Sequence, residues 1–341
     1  MKPLHLPPNP VERFYRGGAR IARFRGADRW EDRWPEDWVG STTAVAGEED
    51  RGRSRLRDGA SLAEAMTADP EAFLGPDHAA GFGADPGLLV KLLDAGERLP
   101  VHLHPDRDFA RSHLGSCHGK TEAWIVVEAK ERAGVYLGWN EDVPADRLAQ
   151  WQASHDVPSM LESMRWFPVR AGDTVFVPAG TPHAIGAGIL LVELQEPTDL
   201  SVLLEWKGFT DDPAGVGDLG LGFSTALQAV DRRALSIDRL AALTAGRVSI
   251  GAPGREALFP KEADAFFRAE RIRGGATLEA SFCILVVVEG FGRLATEAGD
   301  APLTRGDTVL VPHAAGASSV DGNVTVIRCL PPEQPPPCED L

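Results

Sequence analysis

Short apolar runs broken by Gly, Pro and Asp dominate the chain from residue 88 onward. The runs 99–104, 121–128, 135–138, 167–169, 174–178, 188–194 and 201–206 are rich in Val, Ile, Leu and aromatic residues and read as β-strands. The run 88–94 is buried as either strand or helix. Between them, 75–87 and 105–119 are read as loops, the first for its glycines and prolines and the second for its polarity. Helical patterning covers 144–165, first over 145–153 and again behind Pro158. Ser61 and Glu64 form a capping box for a short helix, and Pro70 starts another turn. Residues 1–60 show little periodicity, with Arg16-Gly17-Gly18 read as a tight turn and 35–38 as a polar–aromatic stretch.

A Gly- and Asp-rich linker spans 211–223, followed by helices over 224–232 and 236–244, with Ser236 as N-cap and Gly246 as C-cap. Short strands return from 247 to 331 in a sandwich or jelly-roll pattern. The Pro-rich tail beyond is expected to be loosely held. Gly172-Asp-Thr-Val-Phe-Val-Pro178 recurs as Gly306-Asp-Thr-Val-Leu-Val-Pro312, so two β domains of related design are expected. The first copy runs on to His183. The second has no histidine at the matching place and is expected to keep the fold without the site.

Composition narrows the partners. At 341 residues the chain is long enough for two domains, and 43% hydrophobic with 25% charged residues supports full cores. A net charge of −15 argues against nucleic acid or an anionic membrane surface as partner. The cysteines (117, 283, 329 and 338) lack the spacing of a zinc or disulfide framework. No signal-peptide core or membrane-length apolar run is present, which makes the cytoplasm the expected location.

The candidate chemistry starts at Val101-His-Leu-His-Pro-Asp106. His102 and His104 lie two apart on a strand and so face the same way. Glu122 opens the next strand, and His183 follows the turn at Pro178-Ala-Gly180. Neighbouring strands of a small barrel can bring imidazole and carboxylate groups to one inward point, a donor set that suits zinc and other first-row divalent ions. Lys120 shares the parity of Glu122 and is expected to face the same pocket.

The order His102-x-His104, then Glu122, then Gly172-x5-Pro178-x-Gly180-x2-His183 resembles the paired motifs of the cupin superfamily. Leu-Leu-Val-Lys-Leu-Leu-Asp-Ala, Val-His-Leu-His-Pro-Asp, Gly-Lys-Thr-Glu-Ala-Trp and Leu-Leu-Val-Glu-Leu-Gln add a closer resemblance, to the short bacterial form of type I mannose-6-phosphate isomerases. The likeness is strongest over 85–200. It implies a mainly β fold of two cupin (jelly-roll) domains. A catalytic domain would span 1–215 with a helical insertion at 144–165. A linker with helices would follow over 216–246, then a metal-free cupin over 247–341. It further implies a metal, most often zinc with Mn2+, Fe2+ or Ni2+ as alternatives, held by His102, His104, Glu122 and His183. The reaction would interconvert an aldose 6-phosphate and its 2-ketose, with a sugar or sugar phosphate as the small-molecule partner.

The chain departs from that pattern twice. His102 stands where the family usually has Gln, and three histidines with one glutamate also occur in other cupins. Leu203 stands where the family carries an active-site Arg, which leaves Glu205, of the same parity, and Lys207, the nearest cation, as candidate catalytic groups beside Lys120. The alternatives are therefore an isomerase of an unphosphorylated sugar, another cupin metalloenzyme such as a dioxygenase, and a non-catalytic sugar-binding protein.

Overall fold

The computed structural model describes residues 1–210, 216–246 and 248–336. The first part of the expected linker, 211–215, and the end of the expected loose tail, 337–341, lie outside them. The fold is mainly β, as expected. A six-stranded antiparallel sheet has the order Pro10–Val11, Glu36–Val39, Leu89–Ala95, Ile189–Gln195, Glu122–Ala129, Thr174–Val177. A five-stranded sheet has the order Val202–Leu203, His102–Leu103, His183–Ile185, Gly134–Trp139, Met164–Pro168. Side chains of the two meet, Trp124 of the first against His183 of the second with ring centroids 5.5 Å apart, so the pair closes as a barrel. The run 88–94 resolves to a strand because both neighbours, Glu36–Val39 and Ile189–Gln195, pair with it along its length.

The third sheet has nine strands and is built on Cys283–Thr296 and Ser318–Leu330. Its register repeats that of the first barrel. Glu122 pairs with Val177, and Cys283 pairs with Val311. Trp124 faces Glu193, and Leu285 faces Arg328. Lys91 faces Glu193, and Glu270 faces Arg328. Even the bulge recurs, one extra residue between Val126 and Glu128 and one between Val287 and Glu289. The repeated Gly-Asp-Thr-Val heptapeptide is thus part of a duplicated frame. At the matching inward places the second copy carries Ser281 for Lys120, Cys283 for Glu122 and Arg328 for Glu193. Arg328 is buried and donates to Glu270 Oε2 (3.2 Å), Glu279 Oε1 (3.0 Å) and Ser281 Oγ (2.6 Å).

Two expected loops contain helices. Arg107–Leu114 is capped by Asp106, whose Oδ1 accepts from Phe109 N–H at 2.8 Å, and closed by left-handed Gly115. Only Ala110 of this helix is buried, so its capping signals had no apolar stripe to support them. Pro76–Phe82 is a second short helix with Pro at its first position and no buried residue. The Ser61 and Ser236 caps form as expected, accepting from Glu64 N–H and Arg239 N–H. The helix Ile237–Thr244 ends on Ala245, one residue before the expected Gly246. The expected 224–232 helix shortens to Phe223–Ala226 with a 3-10 turn, Leu227–Ala229. The 144–165 segment forms Ala145–Ser154 and Val157–Ser163, giving way to strand at Met164.

The N-terminal segment spans both halves. Leu4 and His5 pair with Leu310 and Val309, in the sheet of the second copy, whereas Pro10–Val11 and Glu36–Val39 belong to the first. Sheet membership therefore does not follow a boundary that assigns all of 1–215 to one unit. Gly17 and Gly18 sit where this segment crosses Leu89–Ala95. A Cβ on Gly17 would meet Asp94 O at 1.9 Å, and Gly18 has φ +106°, which favours glycine at both places. Cys117 is disulfide-bonded, against the expectation of a chain without disulfide pairing, while Cys283 and Cys329 are free and buried.

Arg328→Met removes a buried guanidinium and its hydrogen bonds to Glu270, Glu279 and Ser281, while Glu270 keeps Arg255 on its other side. It should lower unfolding free energy by about 1–3 kcal/mol in chemical denaturation and leave the first barrel's metal content unchanged.

Candidate metal centre

His102 and His183 are direct partners across the antiparallel pair, and His104 lies two residues further along. Their ligand nitrogens all lie within 4.8 Å of one another. Each ring is oriented by a main-chain carbonyl. Nδ1 of His102 bonds Pro100 O at 2.9 Å, Nδ1 of His104 bonds Leu200 O at 2.8 Å, and Nδ1 of His183 bonds Thr181 O at 2.9 Å. A carbonyl only accepts, so each Nδ1 carries the proton and each Nε2 keeps its lone pair. The Nε2 atoms of His102 and His183 then face each other at 3.0 Å, two acceptors that only a shared cation or proton satisfies. Burial, helped by Lys120, outweighs the opposing charge of Glu122 and holds all three rings neutral. His104 and His183 are both pushed down to about 3, and His102 well below its ordinary value. Neutral, oriented and convergent imidazoles fit a divalent metal ion.

Glu122 and Lys120 complete the cluster from the opposite sheet, on the face that their alternation implies. Glu122 Oε2 lies 2.9 Å from His104 Nε2, and Oε1 lies 3.3 Å from His183 Nε2 and accepts from Trp124 Nε1 at 3.0 Å. Lys120 Nζ donates to Glu122 Oε2 (2.6 Å) and His104 Nε2 (2.7 Å). Burial alone would raise the Glu122 carboxyl, but the Lys120 ammonium holds it well below the usual range.

From here a line of alternating buried charges crosses the sheet. Lys120 Nζ is 3.9 Å from Glu193, Lys91 Nζ is 3.9 Å from Glu193 and 3.4 Å from Glu36, and Arg13 Nε is 3.4 Å from Glu36. Arg13 ends the line with a bidentate pair to Asp199, at 2.9 and 3.0 Å. Tyr15 OH and Trp38 Nε1 also donate to Glu36. Glu36 is lowered to about 2, because Lys91 and Arg13 outweigh its burial. Glu193 is raised to about 8 by burial and by the charge of Glu122. Arg13, Tyr15, Glu36, Lys91, Glu193 and Asp199 were not singled out from the sequence. The signal for two of them was a charged residue inside an otherwise apolar strand, in Leu-Leu-Val-Lys91-Leu-Leu and Leu-Leu-Val-Glu193-Leu.

Glu205 and Lys207 are not brought to this cluster. Leu204 N–H and Glu205 N–H both donate to Val101 O, so two residues oppose one and the strand's alternation breaks after Leu203. Glu205 turns away to accept from both Arg98 Nη atoms at 2.6 Å and from Val101 N–H at 2.9 Å. Lys207 is exposed, its Nζ 5.4 Å from the Trp206 ring centroid. Leu203 itself pairs with His102 and lines the pocket. His118 is half-buried, 2.8 Å from Asp85 Oδ2, and raised to about 9: that hydrogen bond and a second carboxylate, Glu196, outweigh burial.

A β-barrel with inward histidines from adjacent strands, in a chain that repeats the same strand frame, defines a metal-binding protein of the cupin class. The mannose-6-phosphate isomerase cupin-domain family model matches residues 256–331. The mannose-6-phosphate isomerase of Streptococcus mutans is 30% identical over 250 residues, covering 70% of this chain and 72% of that protein. The chain belongs to the mannose-6-phosphate isomerase family. In fold it is similar to the crystal structure of the Bacillus subtilis mannose 6-phosphate isomerase, with TM-score 0.74, 24% identity and coverage of 96% and 99% of the two chains. It is also similar in fold to a mannose 6-phosphate isomerase structure bound with zinc and yttrium, with TM-score 0.73, 16% identity and coverage of 97% and 100%.

The depressed histidines set the acid limit of the metal-free protein. The native rings resist protonation until about 3, whereas the unfolded chain takes up protons near 6.5. The unfolded state thus binds more protons between these values, and stability falls as pH drops through that window. Chelator-treated protein followed by thermal melts from pH 7.5 to 4.5 should lose Tm on acidification, and His183→Gln should flatten the slope.

Proposed function

We propose that this chain is a metal-dependent aldose–ketose isomerase acting on a sugar phosphate of the mannose 6-phosphate/fructose 6-phosphate type or a related sugar; its relatives are named mannose-6-phosphate isomerases. The observation that carries the reading is the convergence of three neutral, carbonyl-oriented Nε2 lone pairs beside buried Lys120 and Glu193. His102, His104 and His183, with Glu122 as fourth ligand, would hold the ion. Zinc is the first expectation, given the zinc in the structural neighbour. When bound by these residues, a divalent ion would supply Lewis-acid polarisation of the substrate's carbonyl and hydroxyl oxygens and offset the negative charge that develops on them.

The surrounding residues supply the rest. Glu193 titrates near neutrality and is the candidate to carry the proton between C1 and C2. Lys120 donates to a substrate oxygen at the same place. Lys91 holds Glu193 from behind and is itself held by Glu36, and Leu203 lines the pocket opposite His102. No described helix is long and apolar enough to cross a membrane, and a cytoplasmic location is the expectation that accompanies sugar isomerisation.

Exchange at C1 and C2 in deuterated water, followed by NMR with metal-loaded protein, tests the reading. Aldoses and ketoses with and without 6-phosphate should include at least one converted pair. His104→Ala should lose both metal, by elemental analysis, and turnover. Turnover persisting in that metal-free variant would sink the site. Glu193→Gln should keep its metal and lose on the order of 10²- to 10⁴-fold in kcat.

A further inference from the structure

We propose that the second copy of the strand frame positions the wall of the first barrel's pocket, with Arg25 as the positioning residue; its effect on turnover rests on the isomerase reading above. The strand Glu36–Val39 presents its residues alternately to two faces. Glu36 and Trp38 stand opposite Leu93 and Lys91, two residues of the pocket lining. Glu36 accepts there from Tyr15 OH and Trp38 Nε1 and lies 3.4 Å from Lys91 Nζ. Asp37 is fully buried and points the other way, where Arg25 Nε lies 3.1 Å from its Oδ2.

The same guanidinium is held by the second copy. Its Nη1 donates to Gly306 O at 2.8 Å and Thr308 Oγ1 at 2.7 Å, and its Nη2 donates to Leu6 O at 3.0 Å. Leu6 is itself bonded to that copy, its N–H donating to Thr308 O at 2.9 Å. The Arg25 side chain is only 4% exposed, so these charge-assisted bonds form away from water, where they hold most firmly. The approach is close. A Cβ on Gly306 would meet Phe24 O at 1.9 Å, and Gly306 has φ +95°, so the turn requires glycine. One planar group therefore spans from the second copy's turn to the back of the strand whose front carries Glu36. Glu36 holds Lys91, and Lys91 faces Glu193, the proposed proton carrier. Misplacement of such a group by about 1 Å can cost on the order of 10²-fold in rate. The duplicated Gly-Asp-Thr turn supplies an internal comparison. In the first barrel Gly172 O accepts from Arg271 Nη2 of the second copy at 3.5 Å, a bond between the same two units in which neither partner lines the pocket.

The test uses Arg25→Lys, which keeps a charge beside Asp37 but loses the fork that reaches both sides, and the milder Thr308→Val, which removes one acceptor in the second copy. Arg271→Met is the control for general loosening between the units. Each is assayed metal-loaded with mannose 6-phosphate, well below its own Tm. Arg25→Lys should lose about tenfold in kcat with KM within about twofold of wild type. Thr308→Val should lose less, and Arg271→Met should keep wild-type kcat even if its Tm falls. A second readout needs no turnover. Trp38 Nε1–H donates to Glu36 Oε2 at 2.6 Å, so its indole resonance in nitrogen-edited NMR, assigned with Trp38→Phe, reports where Glu36 sits. That resonance should move in Arg25→Lys and Thr308→Val and stay in place in Arg271→Met. Wild-type kcat in folded, metal-loaded Arg25→Lys, or an unmoved indole signal, overturns the inference. So does an equal loss of kcat in Arg271→Met. If Arg25→Lys does not fold, Thr308→Val carries the same two readouts. A wild-type protein that converts no sugar sinks the isomerase reading instead, and the indole signal then decides the positioning by itself.

Discussion

Three main-chain carbonyls do the decisive work in this protein. By accepting from Nδ1 of His102, His104 and His183, they fix which nitrogen of each ring is bare and where it points. Had any ring taken the other tautomer, its Nε2–H would be aimed at a neighbouring acceptor and the donor set would be lost. The carbonyls belong to Pro100, Leu200 and Thr181, all in turns or strand edges, so the loops joining the barrel's strands set the chemistry of its interior. The strands bring the rings together, and the loops determine what the rings can bind.

The alternating charges that run from Glu122 to Asp199 serve a related end. An isolated charge at such depth is costly, whereas a line in which every carboxylate touches a cation loses little by burial. Glu193 is the exception: it lies 3.9 Å from each of two ammonium groups and one of its oxygens has no hydrogen-bond partner. That looser hold lets burial and the nearby Glu122 charge dominate its titration, while Glu36, with four donors around it, stays ionised. Two carboxylates on one sheet face are thus given opposite protonation habits by the number of their partners.

Much of this was legible in the residues. Strict alternation carried Lys120 and Glu122 to the same face, and the spacing of the histidines put their strands side by side. The duplicated heptapeptide announced a second copy of the frame. The failures have local causes. Glu205 was placed by parity across a point where two residues share one carbonyl, and parity does not survive such a bulge. The helix at Arg107–Leu114 is capped at both ends but lies on the surface, so periodicity could not reveal it. The charged line from Arg13 to Glu193 joins four separate segments, and no one-dimensional pattern reports which buried charges will meet.

The crossing of the N-terminal segment has a consequence for how the molecule is made. Leu4–His5 zips onto 309–310, and Arg25 donates to Gly306 O and Thr308 Oγ1, contacts separated by roughly three hundred positions along the chain. The same segment carries Arg13, Tyr15 and Glu36 to the pocket. During synthesis those three residues leave the ribosome long before the strand Thr308–Val311 to which their segment is pinned. The histidines of the first barrel and the carbonyls that orient them come together from residues 100–200. The order of assembly therefore separates a metal cradle that can form early from a segment of the pocket wall that gains its second anchorage only once 306–310 has been made.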